Sequence, residues 1–205
     1  MASIWDERFS GEGFVYGTHP SRWLEAQAGL LGPGSRILSL GEGEGRNAVW
    51  LAERGHRVTA VDGSAVGLEK AGRLASARGV ALDAVVADLA EYLPERGAFD
   101  AVLLVFLHLP PALRPVVHAR AEAALGPGGL LILEAFTPRQ LAFQSGGPKQ
   151  ADWLYEPETL RRDLPRIAWS SLSEVEVDLD EGPLHQGRAA VVRAAGRLAD
   201  PAAAR

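Results

Sequence analysis

Three features of the chain join a residue type to a spacing that chemistry can use. The first is Ile37-Leu-Ser-Leu-Gly-Glu-Gly-Glu-Gly-Arg-Asn47, with glycines at 41, 43 and 45. Glycines let backbone N–H groups approach a ligand, and a helix starting here turns its positive end toward anionic atoms. The second is Asp62, about twenty residues beyond Gly41, where an acid can accept hydrogen bonds from both hydroxyls of a ribose. The third is Asp88 in Val85-Val-Ala-Asp-Leu89, a carboxylate placed to receive the exocyclic amine of an adenine. Jointly they describe a site for a nucleotide-like cofactor. The nicotinamide fingerprint is Gly-x-Gly-x-x-Gly, and here the third glycine comes one residue early. An NAD-dependent oxidoreductase therefore stands only as an alternative.

The remaining candidates are polar residues near these features. His108 stands before Leu109-Pro-Pro111 and is the leading general base, against a plain reading as a loop or cap histidine. Tyr16 and His19 precede the first long helix and could close over a bound cofactor, or simply pack there. Arg46 follows the glycines, where a helix dipole disfavours a cation, so pairing with a cofactor carboxylate is expected. Glu134 lies in an apolar run and needs a buried partner or a place in the site. His185 reads as a solvated turn residue, His56 as a strand start and His118 as a helix-surface residue. Trp5, Phe9, Phe14 and Trp23 read as one aromatic cluster. Phe143, Trp153 and Tyr155 bracket a loop around Gly146-Gly-Pro148 that reads as a mobile cap over the acceptor. With five histidines at no metal spacing and no cysteine, no metal site is expected.

These residues need a frame, and the chain supplies one. Apolar runs at 36–40, 56–61, 80–87, 99–106 and 129–135 read as strands. Helical spacing at 47–54, 65–78 and 111–125 separates them, with Gly55, Gly79 and Gly126 after the helix ends. Strands alternating with helices of this length give a doubly wound, Rossmann-like α/β sheet, mostly parallel, with helices on both faces. A short helix over 156–164 follows. Runs at 169–179 and 187–193 then form an antiparallel hairpin, making about seven strands. Residues 1–34, with a helix over 20–31, form an N-terminal lid, 35–198 the domain proper, and 199–205 a fraying tail.

The 205 residues carry a net charge of -5 and no cysteine, which exclude a broad phosphate-binding surface, disulfides and a thiol nucleophile. No apolar run approaches a membrane span and no signal peptide is visible, so a cytoplasmic protein is expected.

The core resembles the class I S-adenosylmethionine-dependent methyltransferases. More narrowly, Gly43-Glu-Gly-Arg-Asn47, Tyr16-Gly-x-x-Pro20 and His108-Leu-Pro-Pro111 are similar to the bacterial tellurite-resistance and thiopurine types. The resemblance implies S-adenosylmethionine as cofactor and S-adenosylhomocysteine as product. It implies that Gly41, Gly43 and Gly45 flank the methionine portion, that Asp62 with Gly63 holds the ribose, and that Asp88 with the backbone of Leu89 reads the adenine. Residues from Val105 to His108 would line the sulfur and the acceptor. One departure is Ser39, where the family carries an acid; Glu42 or Glu44 could supply that charge. The resemblance implies an antiparallel last strand and an enzyme, with a non-catalytic binding module as the alternative. The size leads to the expectation of a small-molecule methyl acceptor, and the lack of a basic stripe to that of no nucleic-acid partner; the sulfonium cofactor and the missing cysteines lead to direct in-line transfer. No membrane partner is expected, and the chain is expected to be a monomer or homodimer.

Overall fold

The computed structural model describes residues 4–199. Residues 1–3 and most of the segment expected to fray lie outside them, but Ala199 N donates to Arg166 O at 2.8 Å.

Seven strands form one sheet: β1 (Arg36–Leu40), β2 (Arg57–Asp62), β3 (Asp83–Val86), β4 (Phe99–Val105), β5 (Leu125–Phe136), β6 (Ile167–Asp180) and β7 (Gln186–Leu198). Their spatial order is β3-β2-β1-β4-β5-β7-β6. The first five are parallel, and β7 runs antiparallel between β5 and β6. The helices are α1 (Ile4–Phe9), α2 (Arg22–Gln27), α3 (Arg46–Glu53), α4 (Ala65–Ala77), α5 (Arg114–Ala124) and α6 (Pro157–Asp163).

Side chains alternate across a strand, so a continuous apolar run feeds two cores. Ile37, Ala101, Leu103, Leu130 and Ile132 meet Leu24 of α2, Leu51 of α3 and Ala71 of α4 on one face. Their neighbours Leu38, Val102, Leu104, Leu131 and Leu133 meet Val117 and Ala121 of α5 and Leu160 of α6 on the other. Among the described residues no helix is long and apolar enough to cross a membrane.

Three sequence expectations shift. The helix expected from Pro111 begins at Arg114, and β5 starts at once at Leu125, so Gly126 lies in a strand rather than beyond a helix. Helix α1 was not expected. It has six residues, too few for a periodic pattern, and its stability comes from tertiary contacts. The aromatic cluster divides: Phe9 packs toward Gly43 and Gly67, whereas Trp23 Nε1 donates to Ala194 O on β7.

Gly45 caps α3 with a φ of +91°, and a Cβ there would lie 2.6 Å from Ala71 Cβ on α4. Gly45→Ala is expected to cost about 2–4 kcal/mol, combining a left-handed backbone with overpacking. Urea unfolding measures it; an unchanged midpoint would show that α3 and α4 separate freely.

Candidate functional site

Glycine loop 41–45 leaves β1 at the C-terminal edge of the sheet. Gly41 and Gly43 have φ near +70° (69° and 65°), conformations that side chains resist. A Cβ at Gly41 would stand 2.8 Å from Leu107 Cδ1. Beside the loop, Asp62 ends β2 with its carboxylate buried. Its Oδ2 accepts from Gly43 N and its Oδ1 from Ser64 N, both at 2.8 Å. Burial pushes the Asp62 carboxyl up, while the Ser64 and Gly43 N–H groups pull it down. β3 pairs with β2 so that Asp62 lies opposite Val86, which brings Asp88 to the same edge. Asp88 is exposed, with one oxygen accepting from Ala90 N at 2.8 Å. Gly63 lies near Ala87 O, Leu89 is half-buried and Val105 is buried at the end of β4.

The N-terminal turn of α3 departs from the sequence reading. Glu42 Oε1 accepts from Asn47 N at 3.0 Å and Ala48 N at 2.9 Å, and its other oxygen takes the Ser39 hydroxyl. An internal carboxylate therefore occupies these two donors, which the sequence reading turned toward a ligand. It also answers the missing acid: Ser39 and Glu42 together put a carboxylate at the end of β1. Burial raises the Glu42 carboxyl, opposed by these hydrogen bonds. Glu44 turns the other way, pairing with Lys70 and accepting from Val15 N at 2.8 Å.

Beyond the loop lies a group that the sequence did not bring together. Arg46 Nη1 donates to Glu181 Oε2 at 2.8 Å, both side chains buried. The expected pairing of Arg46 with a cofactor carboxylate would have to use its other donors. Glu181 also accepts from Arg22 N at 3.2 Å. Burial alone would raise its carboxyl, but the Arg46 guanidinium and the Arg22 N–H pull it below the usual carboxylate range. His185 is 5% exposed, not a solvated turn residue. Its ring stands 4.5 Å from Tyr16, 4.4 Å from Phe106 and 5.3 Å from Phe136, measured between centroids. Phe106 follows β4 with φ +53°, the one positive value at a non-glycine among the described residues. Strain of this kind concentrates at ligand sites. The signal for this group was Glu181-Gly-Pro-Leu-His185, an acid and a histidine four apart in a turn.

His108 is placed differently from its expected role. Nδ1 lies 3.0 Å from Trp153 O, and Nε2 accepts from Phe136 N at 3.2 Å. Both ring nitrogens are spent on backbone, so neither is free to take a proton from an acceptor. Tyr16 sits at the site, its hydroxyl accepting from Arg8 at 3.2 Å and its pKa raised by burial. His19 is exposed. Glu134 finds two partners, the buried Ser21 Oγ at 2.5 Å and the half-buried Arg193 Nε at 2.8 Å. His118 is fully buried beside Asp163, not on a helix surface. No group of three His, Asp or Glu could hold a metal among the described residues.

A family model described as a methyltransferase domain matches residues 37–129. The tRNA 5-carboxymethoxyuridine methyltransferase of Escherichia coli (strain K12) is 30% identical, across 78% of this chain and 67% of its own length. The chain belongs to the S-adenosylmethionine-dependent methyltransferases. Its structural relatives include TehB from Haemophilus influenzae, with a TM-score of 0.68 and 15% identity, covering 94% of this chain and 65% of that one. The Burkholderia thailandensis 1,6-didemethyltoxoflavin-N1-methyltransferase, solved with S-adenosylhomocysteine, gives a TM-score of 0.60 at 24% identity, covering 87% and 76%. At these identities the structures speak for the fold.

The methyltransferase's own residues fit this cofactor. Each oxygen of Asp62 takes one N–H and keeps a lone pair for a ribose hydroxyl, and Asp88 has an oxygen open at the same edge. Two carboxylates beside a positive-φ glycine loop match a diol and an amine, not a phosphate. The expectation of a small-molecule acceptor without nucleic acid is corrected: the Escherichia coli relative modifies tRNA. Net charge and chain length misled there, since they describe the whole molecule and not the acceptor site.

Proposed function

We propose that this methyltransferase transfers the methyl group directly, in line, to an acceptor at the ends of β4 and β5, beside Tyr16, Phe106, Phe136 and His185. S-adenosylmethionine supplies a methyl group already activated on a sulfonium. The protein's part is then mainly proximity and orientation. Asp62 accepts the ribose hydroxyls, with Gly63 leaving room beside it. Asp88 and the backbone of Leu89 take the adenine, and the positive-φ Gly41 and Gly43 let the methionine portion lie close. Val105 and Phe106 border the sulfur. Residues 1–34 act as a cover, with Tyr16 as its contact to the acceptor side and His19 on its outer surface. The same reading places the enzyme in the cytoplasm, in keeping with a chain without cysteine. The tRNA-modifying relative puts an RNA-borne acceptor first among those to assay.

The observation that carries this reading is the Asp62 carboxylate, locked to the glycine loop through Gly43 N at 2.8 Å. Calorimetry with S-adenosylmethionine and S-adenosylhomocysteine tests it, and no binding at millimolar concentration would sink it. Asp62→Ala is expected to weaken binding by about 1–3 kcal/mol, the worth of lost charge-assisted hydrogen bonds. Equal affinity in the variant would remove Asp62 from the site.

A further inference from the structure

His185 is the buried titratable group that the reading above leaves without work. Its turn, between β6 and β7, folds back to the sheet edge where β4 and β5 end. There the imidazole meets Phe106 from one strand end and Phe136 from the other. Nδ1 is buried without a hydrogen-bond partner, 3.9 Å from Glu181 Oε2. That distance is an ion-pair separation, too long for a hydrogen bond. Nε2 lies on the Gly146 side of the ring, 3.4 Å from where a Cβ at Gly146 would stand, and the lack of a side chain there leaves that edge uncrowded by residue 146. His108, the other histidine here, has both nitrogens taken.

We propose that His185 is the general base that takes the proton from the methyl acceptor, with Glu181 as its positioning residue and Arg46 holding Glu181 in place. The inference rests on the methyl-transfer reading. In the step, the acceptor's X–H bond breaks and its proton goes to Nε2. The electron pair left on X forms the new bond to the methyl carbon, whose former bonding pair stays on sulfur. His185 then passes its proton to water. Nδ1–H faces Glu181, which stabilises the imidazolium while it lasts.

The charged and titratable groups around the ring are consistent with this. Burial pushes the His185 imidazole down, which keeps it neutral and able to accept. Glu181 pulls the other way, and Arg46 and Arg8 oppose Glu181. Tyr16 stays a neutral phenol, its pKa raised by burial, and His108 is neutral. The site thus calls for an acceptor that carries a proton at neutral pH, such as a phenol, an amide or a ring N–H, rather than one already ionised.

Two measurements test this on the intact protein, the first saturated with S-adenosylhomocysteine and the second supplied with S-adenosylmethionine. In 15N spectra of the wild type, His185 Nε2 should be unprotonated at pH 7, and Glu181→Gln should lower the pKa of the ring. An Nε2–H tautomer, or a ring indifferent to Glu181→Gln, overturns the proposal. Methylation of phenol and of thiophenol is then compared in wild type and His185→Gln. The phenol-to-thiophenol rate ratio should fall about 100-fold, the usual contribution of a positioned base. An unchanged ratio overturns the proposal, because a merely structural histidine would slow both. If the wild type methylates neither probe, the state of the ring decides alone. Failure to bind S-adenosylhomocysteine would instead overturn the underlying methyl-transfer reading.

Discussion

Replacing Lys70 by methionine is expected to destabilise the protein by about 3–5 kcal/mol, the range for breaking a buried ion pair from one side. Lys70 is 1% exposed and lies on α4. Its ammonium donates to Phe9 O at 3.2 Å, Gly11 O at 2.9 Å and Gly13 O at 2.5 Å, and it pairs with Glu44. The other Glu44 oxygen accepts from Val15 N at 2.8 Å and Tyr16 N at 3.4 Å. One ion pair therefore ties residues 9–16 to the glycine loop. Methionine keeps the length of the stem but removes the donors and leaves the Glu44 carboxylate buried without its counter-charge. Urea unfolding gives the loss. Adding Glu44→Gln should recover part of it, since the unpaired charge is then gone. Hydrogen exchange should show the N–H groups of 15 and 16 losing protection first. Equal stability of Lys70→Met and wild type would mean that this segment contributes nothing to the fold.

The strands were readable because a parallel sheet covered on both faces demands unbroken apolar runs, and 101–105 and 130–133 supply them. The cofactor end was readable because its chemistry is local: a loop and two strand ends brought into register by β1–β2–β3 pairing. The proposed acceptor side was not. Glu181 and His185 sit in a hairpin turn far along the chain from Arg46, and a turn of Glu-Gly-Pro reads as solvated. Only the return of β7 to the side of β5 buries it. His118 is a different kind of miss. It shares the stripe of Arg114, Val117 and Ala121 on α5, all buried, at the i, i+3, i+4, i+7 spacing of a core-facing surface. That pattern was there to be read. Its polarity hid it, because Asp163, the partner that makes burial affordable, comes from α6.

His108 makes stability depend on pH in a window of its own. Burial lowers its imidazole from 6.5 to about 4, against the Trp153 carbonyl, which favours the charged form. A second proton would fall on Nε2, which already accepts from Phe136 N, so protonation and the native hydrogen bond exclude each other. Between pH 6.5 and 4 the unfolded chain binds more protons than the folded one. Stability is then full above 6.5 and declines as pH falls toward 4, by on the order of 3 kcal/mol from this residue. Burial shifts His118 and His185 in the same direction. The carboxylates act in a lower window. Asp163 and Glu181 are buried, yet their cationic partners hold Asp163 at about 2 and Glu181 below the usual carboxylate range. Their contribution is present above the ordinary carboxylate range and is lost only as pH falls toward 2. Urea midpoints from pH 7 to 4 should therefore fall in wild type while both carboxylates stay ionised. His108→Gln separates the residue from its neighbours, because an amide can donate to Trp153 O and accept from Phe136 N without titrating. Its stability should fall less over that range, by about the His108 share. A slope identical to wild type would place the titration in His118 and His185 alone. Persistence of the fold in the variant would at the same time mark position 108 as a bridge between β5 and the loop at Trp153.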